Sequence, residues 1–182
     1  MQKHISEWLS EDTLHKAKGK TRIQIFQEFG NKLEPVAYML PEYLQYLGDN
    51  IKDNRVYSGK GYFIDHALNH HPEVPIEMYF EIQNILCNPD DVKLDNRKVN
   101  KKSLVFIKEY DSFYQVVVAV DETEEGKFLV HKTFNYHHKK PYAGLPGIRS
   151  SLSSLVGGTT TISHTESSAP GSPLSALNDV QK

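Results

Sequence analysis

The sequence predicts a single α+β domain, with helices packed on an antiparallel sheet and a disordered C-terminal tail. Three observations carry this. Apolar residues recur at helical spacing in several segments of the first 86 residues, the pattern turns to alternation beyond Asp91, and from Ser150 onward Ser, Gly, Thr and Pro dominate without any period. The domain is expected over residues 1–149 and the flexible tail over residues 150–182, which lack the apolar content to offset their ordering entropy.

In chain order, Ile5, Trp8, Leu9 and Leu14 predict an opening helix stopped by Gly19. Ile23 and Ile25 alternate, so residues 22–29 read as a strand, and residues 35–40 as a second short one. Pro41 begins a short helix carrying Tyr43, Leu44 and Leu47, which Gly48 ends. Residues 62–71 read as a helix stopped by Pro72, because a residue before proline is pushed out of the helical region. Residues 75–86 form another, with Ile76, Tyr79, Phe80 and Leu86 on one broad face. Residues 104–109, 113–120 and 127–135 then alternate between turn signals and predict a three-strand antiparallel meander.

The chain has 182 residues, 38% of them hydrophobic, which suits one ordinary core and argues against two domains. Twenty-one basic residues against twenty-three acidic leave a formal charge of −2, so no global field draws the protein to nucleic acid or membrane. Any polyanion site must be local. The lone Cys87 follows an apolar run and reads as a packed thiol. No apolar run approaches the ~18 residues of a membrane span, and no signal-peptide pattern opens the chain. Cytoplasmic synthesis is expected, with a dedicated export or phage route as the means of reaching a target cell.

Three of the nine histidines fall in one predicted helix, in the run Asp65-His66-Ala67-Leu68-Asn69-His70-His71. At 100° per residue, Phe63, Ile64, Ala67 and Leu68 form the apolar face and His71 projects from its middle, as a buried structural histidine would. Tyr62, His66 and Asn69 lie opposite, with His70 at the border, so Tyr62, His66 and His70 can share a pocket. A solvated helix face is the plain alternative. Two histidines four apart can also grip zinc, but Ala67 occupies the place of the glutamate in the metalloprotease pattern, and no metal or cofactor is expected.

Alternation in the last strand sets Phe128, Val130 and Phe134 on one face and Leu129, His131, Thr133 and Asn135 on the other. An exposed sheet face and the border of a site are both consistent with that. After it, Tyr136, His137, His138, Lys139 and Lys140 interleave aromatic and cationic groups, as surfaces that take phosphates and stacked bases do. Arg97, Lys98, Lys101 and Lys102 form a second basic cluster. No phosphate-binding loop, dinucleotide fingerprint or serine elbow is present.

The stretches Tyr57-Ser58-Gly59-Lys60-Gly61-Tyr62-Phe63-Ile64-Asp65-His66, His70-His71-Pro72, Ile85-Leu86-Cys87-Asn88-Pro89-Asp90 and Val130-His131-Lys132-Thr133-Phe134 resemble the phage-type nuclease-fold domains grouped with barnase, EndoU, the tRNA-cleaving colicins and RelE, over residues 36–136. The resemblance implies a metal-independent ribonuclease used as a toxin in phage or bacterial conflict, with RNA, tRNA among the candidates, as substrate and an immunity protein or inhibitor as partner. A non-catalytic module binding RNA or protein on the same fold is the alternative.

Cleavage through the RNA 2′-hydroxyl asks for a base, an acid and cations near the phosphate, and histidine titrates in the right range. His66, with His70 as partner, is the expected acid–base pair, and Thr133 a hydrogen-bond donor to the phosphoryl group. Lys60 and Lys132 are expected to meet phosphate charge, with Tyr62 and Tyr136 on the bases. His66 and Thr133 are expected to face one another across a cleft wide enough for a phosphate.

Overall fold

The computed structural model describes residues 2–97, 101–141 and 144–148, so the expected tail and its boundary lie outside the described residues. The opening helix is two: α1 (Gln2–Trp8) and α2 (Glu11–Ala17), separated by Ser10, whose hydroxyl accepts from the Thr13 amide and caps the second. Its apolar residues Ile5, Trp8 and Leu9 are buried as the spacing required.

Residues 22–29 are not a strand but a helix, α3 (Arg22–Phe29). Thr21 and Gln24 form a reciprocal capping box, in which Thr21 Oγ1 accepts from the Gln24 amide and Gln24 Oε1 from the Thr21 amide. Ile25 is fully buried while Ile23 is exposed, so their apparent alternation marked no sheet face. A short apolar run has the same look in a helix and in a strand, and here the cap decided.

Strand β1 (Leu33–Tyr38), a 3-10 turn (Pro41–Tyr46) and β2 (Ile51–Gly59) follow, and β2 runs directly into α4 (Lys60–Asp65). The helix continues as a π turn (His66–His70), and a 3-10 segment (Ile76–Glu81) then leads into α5 (Ile82–Cys87). Strands β3 (Asp91–Asp95), β4 (Ser103–Glu109), β5 (Phe113–Thr123) and β6 (Gly126–His137) complete the order. Cys87 is partly buried, its sulfur accepting from Gln83 Nε2 at 3.0 Å.

The expected meander β4–β5–β6 lies inside a six-stranded sheet ordered β1-β2-β6-β5-β4-β3. All pairings are antiparallel except β2 with β6, where Tyr57 lies beside Val130. That one parallel pair sets the Gly59–Lys60–Gly61 turn next to His131, Lys132 and Thr133. The core fills the space between the helices and the sheet face bearing Val56, Phe106, Val116, Val118, Leu129 and Phe134. Among the described residues no helix is long and apolar enough to cross a membrane.

Strand β6 departs from simple alternation. Val118 pairs with His131 and Val117 with Thr133, so Lys132 is the extra residue of a β-bulge. Leu129 and His131 are buried on the core side before the bulge and Phe134 after it, a switch of parity that the expected faces did not include. His131 therefore belongs to the interior at only 2% exposure.

Candidate active site

Helix α4 starts where the backbone has no room for side chains. A Cβ at Gly61 would lie 2.6 Å from the Gly30 carbonyl oxygen and 2.9 Å from the Phe26 ring, and one at Gly59 would collide with Asn31. The close approach lets Gly61 N–H donate to the Gly30 carbonyl at 2.8 Å and Tyr62 N–H to Asn31 Oδ1 at 2.8 Å. Helix α4 is thereby fixed at the loop after α3.

From this start, residues four apart stack as expected. The Tyr62 and His66 rings lie 5.6 Å apart and nearly parallel, and His66 and His70 5.7 Å apart and nearly parallel. The π turn then changes what helical phase predicted. His71 N–H bonds the His66 carbonyl at 2.9 Å, closing an i to i+5 ring that returns His71 over His66, their ring centroids 4.8 Å apart. His71 is consequently not the buried core histidine that a regular helix requires; its side chain is about a quarter exposed. His66 is the buried one, at 6%.

His66 and Thr133 do meet, but no phosphate-wide gap separates them. His66 Nε2 lies 3.0 Å from Thr133 Oγ1 and accepts from the Phe134 amide at 3.2 Å, which puts the ring proton of neutral His66 on Nδ1. Thr133 Oγ1 is also 3.3 Å from His71 Nε2, and His71 Nδ1 is 2.8 Å from Glu73 Oε1. A protonated His71 donates to Glu73 and to Thr133, whose hydroxyl then donates to His66. When His71 gives up its Nε2 proton, the Thr133 hydroxyl can donate to His71 instead.

His70 has its own carboxylate. Its Nε2 lies 3.1 Å from Oδ2 of Asp65, which is buried and also accepts from Asn69 Nδ2 at 2.8 Å. Two partly exposed imidazoles, each backed by a carboxylate, thus adjoin the buried His66. Burial first, then the neighbouring His71 and His70, pushes the His66 pKa down to about 4, so it is neutral at physiological pH. Burial likewise lowers His131 to about 3. The hydrogen bond from His71 holds Glu73 below the ordinary carboxylate range, and burial raises Tyr62.

The cationic groups lie at the rim. The Arg22 guanidinium is 5.5 Å from the Tyr62 ring centroid, Lys60 Nζ is 5.5 Å from that of Phe29, and Lys132 Nζ is 3.7 Å from Asp121 Oδ2. The Tyr62 hydroxyl donates to the Lys132 carbonyl. Tyr136 is not drawn into this cluster; its ring packs with Tyr114 and His138. The sequence patterns did not single out His71, Glu73 or Asp65 as members of a site. The Asp-His-x-x-x-His-His-x-Glu spacing was there to be read, but only an i to i+5 turn makes it converge. Among the described residues, no three His, Cys, Asp or Glu side chains converge as a metal site would require.

An α+β domain that gathers imidazoles and a hydroxyl between α4 and β6, with cations nearby, has groups suited to phosphodiester cleavage. The chain belongs to the family described as phage-Barnase-EndoU-ColicinE5/D-RelE like nuclease3, which it matches over residues 35–140. The expected resemblance over residues 36–136 is thereby borne out, and with it a nuclease function in general terms. No curated protein and no solved structure gave a match.

Proposed function

We propose that this domain is a metal-independent endoribonuclease that cleaves RNA by attack of a 2′-hydroxyl on the adjacent phosphate. The observation that carries the reading is the Thr133 hydroxyl held between His66 Nε2 and His71 Nε2, with Glu73 behind His71. In the reaction one imidazole takes the 2′-hydroxyl proton as the oxygen bonds to phosphorus. The bond to the 5′-oxygen breaks, a second imidazole protonates that oxygen, and a 2′,3′-cyclic phosphate remains.

The sequence pointed to His66, with His70 as its partner, as the acid–base pair. The geometry favours His71 and His70 for the two proton transfers, because both reach solvent and both are backed by carboxylates, whereas His66 Nε2 is engaged by the Phe134 amide. His66 is then a positioning residue that orients Thr133, whose hydroxyl can turn to a phosphoryl oxygen. Lys60, Lys132 and Arg22 supply positive charge for the phosphates, and Tyr62 an aromatic face for a base.

The test is incubation of the purified protein with total tRNA and ribosomal RNA in excess chelator. Discrete fragments ending in cyclic or 3′-phosphate are expected, and they should be absent with His71→Gln. RNA left intact across these substrates would turn the reading to a module that binds RNA or protein. Growth arrest on expression, relieved by a co-expressed neighbouring gene product, would support the toxin role and an immunity partner.

A further inference from the structure

A cavity of about 210 Å³ opens beside the histidine cluster, at the end of β2 where the parallel strand β6 runs alongside. Two interior polar side chains border it, Ser58 and His131, each about 2% exposed. Ser58 Oγ, His131 Nδ1 and His131 Nε2 are all buried without a hydrogen-bond partner; the Thr133 backbone acts weakly on the His131 ring without reaching hydrogen-bond geometry. Unpaired donors and acceptors in an interior are destabilising, and alanine and phenylalanine would fill these positions without that penalty.

The walls are aromatic, and the rim carries two cations and one carboxylate, Asp121, whose Oδ2 lies 3.7 Å from Lys132 Nζ. Tyr57 and Tyr62 line the cavity, as do Arg22 and Lys132. The Tyr62 ring is shared with the histidine cluster, and the His131 ring centroid lies 5.8 Å from that of His66. Lys132, which lines the cavity, is the neighbour of Thr133 in β6.

We infer that this cavity is a recognition pocket for a single unpaired nucleobase of the substrate strand, with Ser58 and His131 reading the base edge and Arg22 and Lys132 meeting the neighbouring phosphate. The inference rests on the nuclease reading above. A base edge presents adjacent donors and acceptors; a hydroxyl and a neutral imidazole can each do both, and a tyrosine ring supplies the stacking surface. The space, about 210 Å³, is sufficient for one base, and a base must leave its pair to set its edge against Ser58 and His131. Tyr62, tethered through its hydroxyl to the Lys132 carbonyl, covers His131 edge-on and must swing aside for the base to reach the sealed polar atoms.

The probes are the four ribonucleoside 3′-monophosphates, with binding followed through the His131 ring resonances and by titration calorimetry. At least one should bind about tenfold more tightly than another. Ser58→Ala should shrink that preference to within about threefold while the melting temperature stays level or rises, since the lost hydroxyl was unpaired. His131→Phe, which keeps the ring packing, should do the same. Equal binding of all four by the wild type, or a preference untouched in both variants, overturns the pocket. Cleavage of RNA without base preference would remove the pocket and leave the nuclease; selective mononucleotide binding without cleavage of any RNA would do the reverse.

Discussion

Thr133 Oγ1 lies 3.0 Å from His66 Nε2, although 67 residues separate them in the chain. The contact joins the π turn after α4 to the bulge in β6. Both irregularities are needed, since the bulge alters which side chains β6 presents and the π turn adds His71 to the same hydroxyl.

Thr133→Val keeps the shape of the side chain and removes the hydroxyl. Cleavage is expected to fall about 10²-fold or more, with stability lowered by about 1–3 kcal/mol because the bond to His66 is lost. Thr133→Ser should recover most of the activity. Steady-state cleavage and chemical denaturation of the same three proteins check this. Equal activity in Val and wild type would remove Thr133 from the mechanism.

His71→Gln removes the imidazole that joins Glu73 to Thr133, and a loss of about 10²–10⁴-fold in cleavage is expected. The same substitution has a second readout independent of turnover. Because the hydrogen bond from His71 is the leading cause of the lowered Glu73 pKa, that carboxyl should titrate closer to the ordinary glutamate value in the variant. Carbon-detected NMR of the Glu73 carboxyl measures it.

Stability should fall as the medium is acidified. His66 and His131 have folded-state pKa values of about 4 and about 3, below the ~6.5 of an unfolded histidine. Between these values the unfolded chain binds protons that the native chain does not, so unfolding becomes easier as pH decreases. Their stabilisation is complete above about pH 6.5 and is lost progressively towards pH 4 and below. For His66 this amounts to roughly 3 kcal/mol across the window. Melting temperatures from pH 8 to pH 4 should show the decline, and His131→Phe should make it shallower. An unchanged slope in that variant would mean that His131 is not held neutral.

Gly61→Ala tests the anchoring of α4. The added methyl would sit 2.6 Å from the Gly30 carbonyl oxygen, which is backbone and cannot swing away. A loss of about 1–3 kcal/mol is expected, seen as a melting temperature lower by several degrees, with weakened cleavage because the helix that carries the histidines shifts. Gly144→Ala, where nothing lies within 4 Å, should change neither.

The sequence by itself determined the α+β class, the β4–β5–β6 meander and the stack of Tyr62, His66 and His70. Each depends on local periodicity, with alternation or four-residue spacing fixing which side chains are neighbours. It could not tell that Arg22–Phe29 is a helix, because a run of eight residues fits both periods until its cap is bonded. Nor could it show β2 lying parallel to β6, a pairing between segments far apart in sequence. Tertiary structure alone decided which histidines were buried. One extra residue in β6 and one wider turn after Asp65 each advance the phase that a regular element would keep, turning His131 inward and bringing His71 to Thr133. Such a phase change leaves no mark in composition or period, since its energy comes from contacts made across the chain.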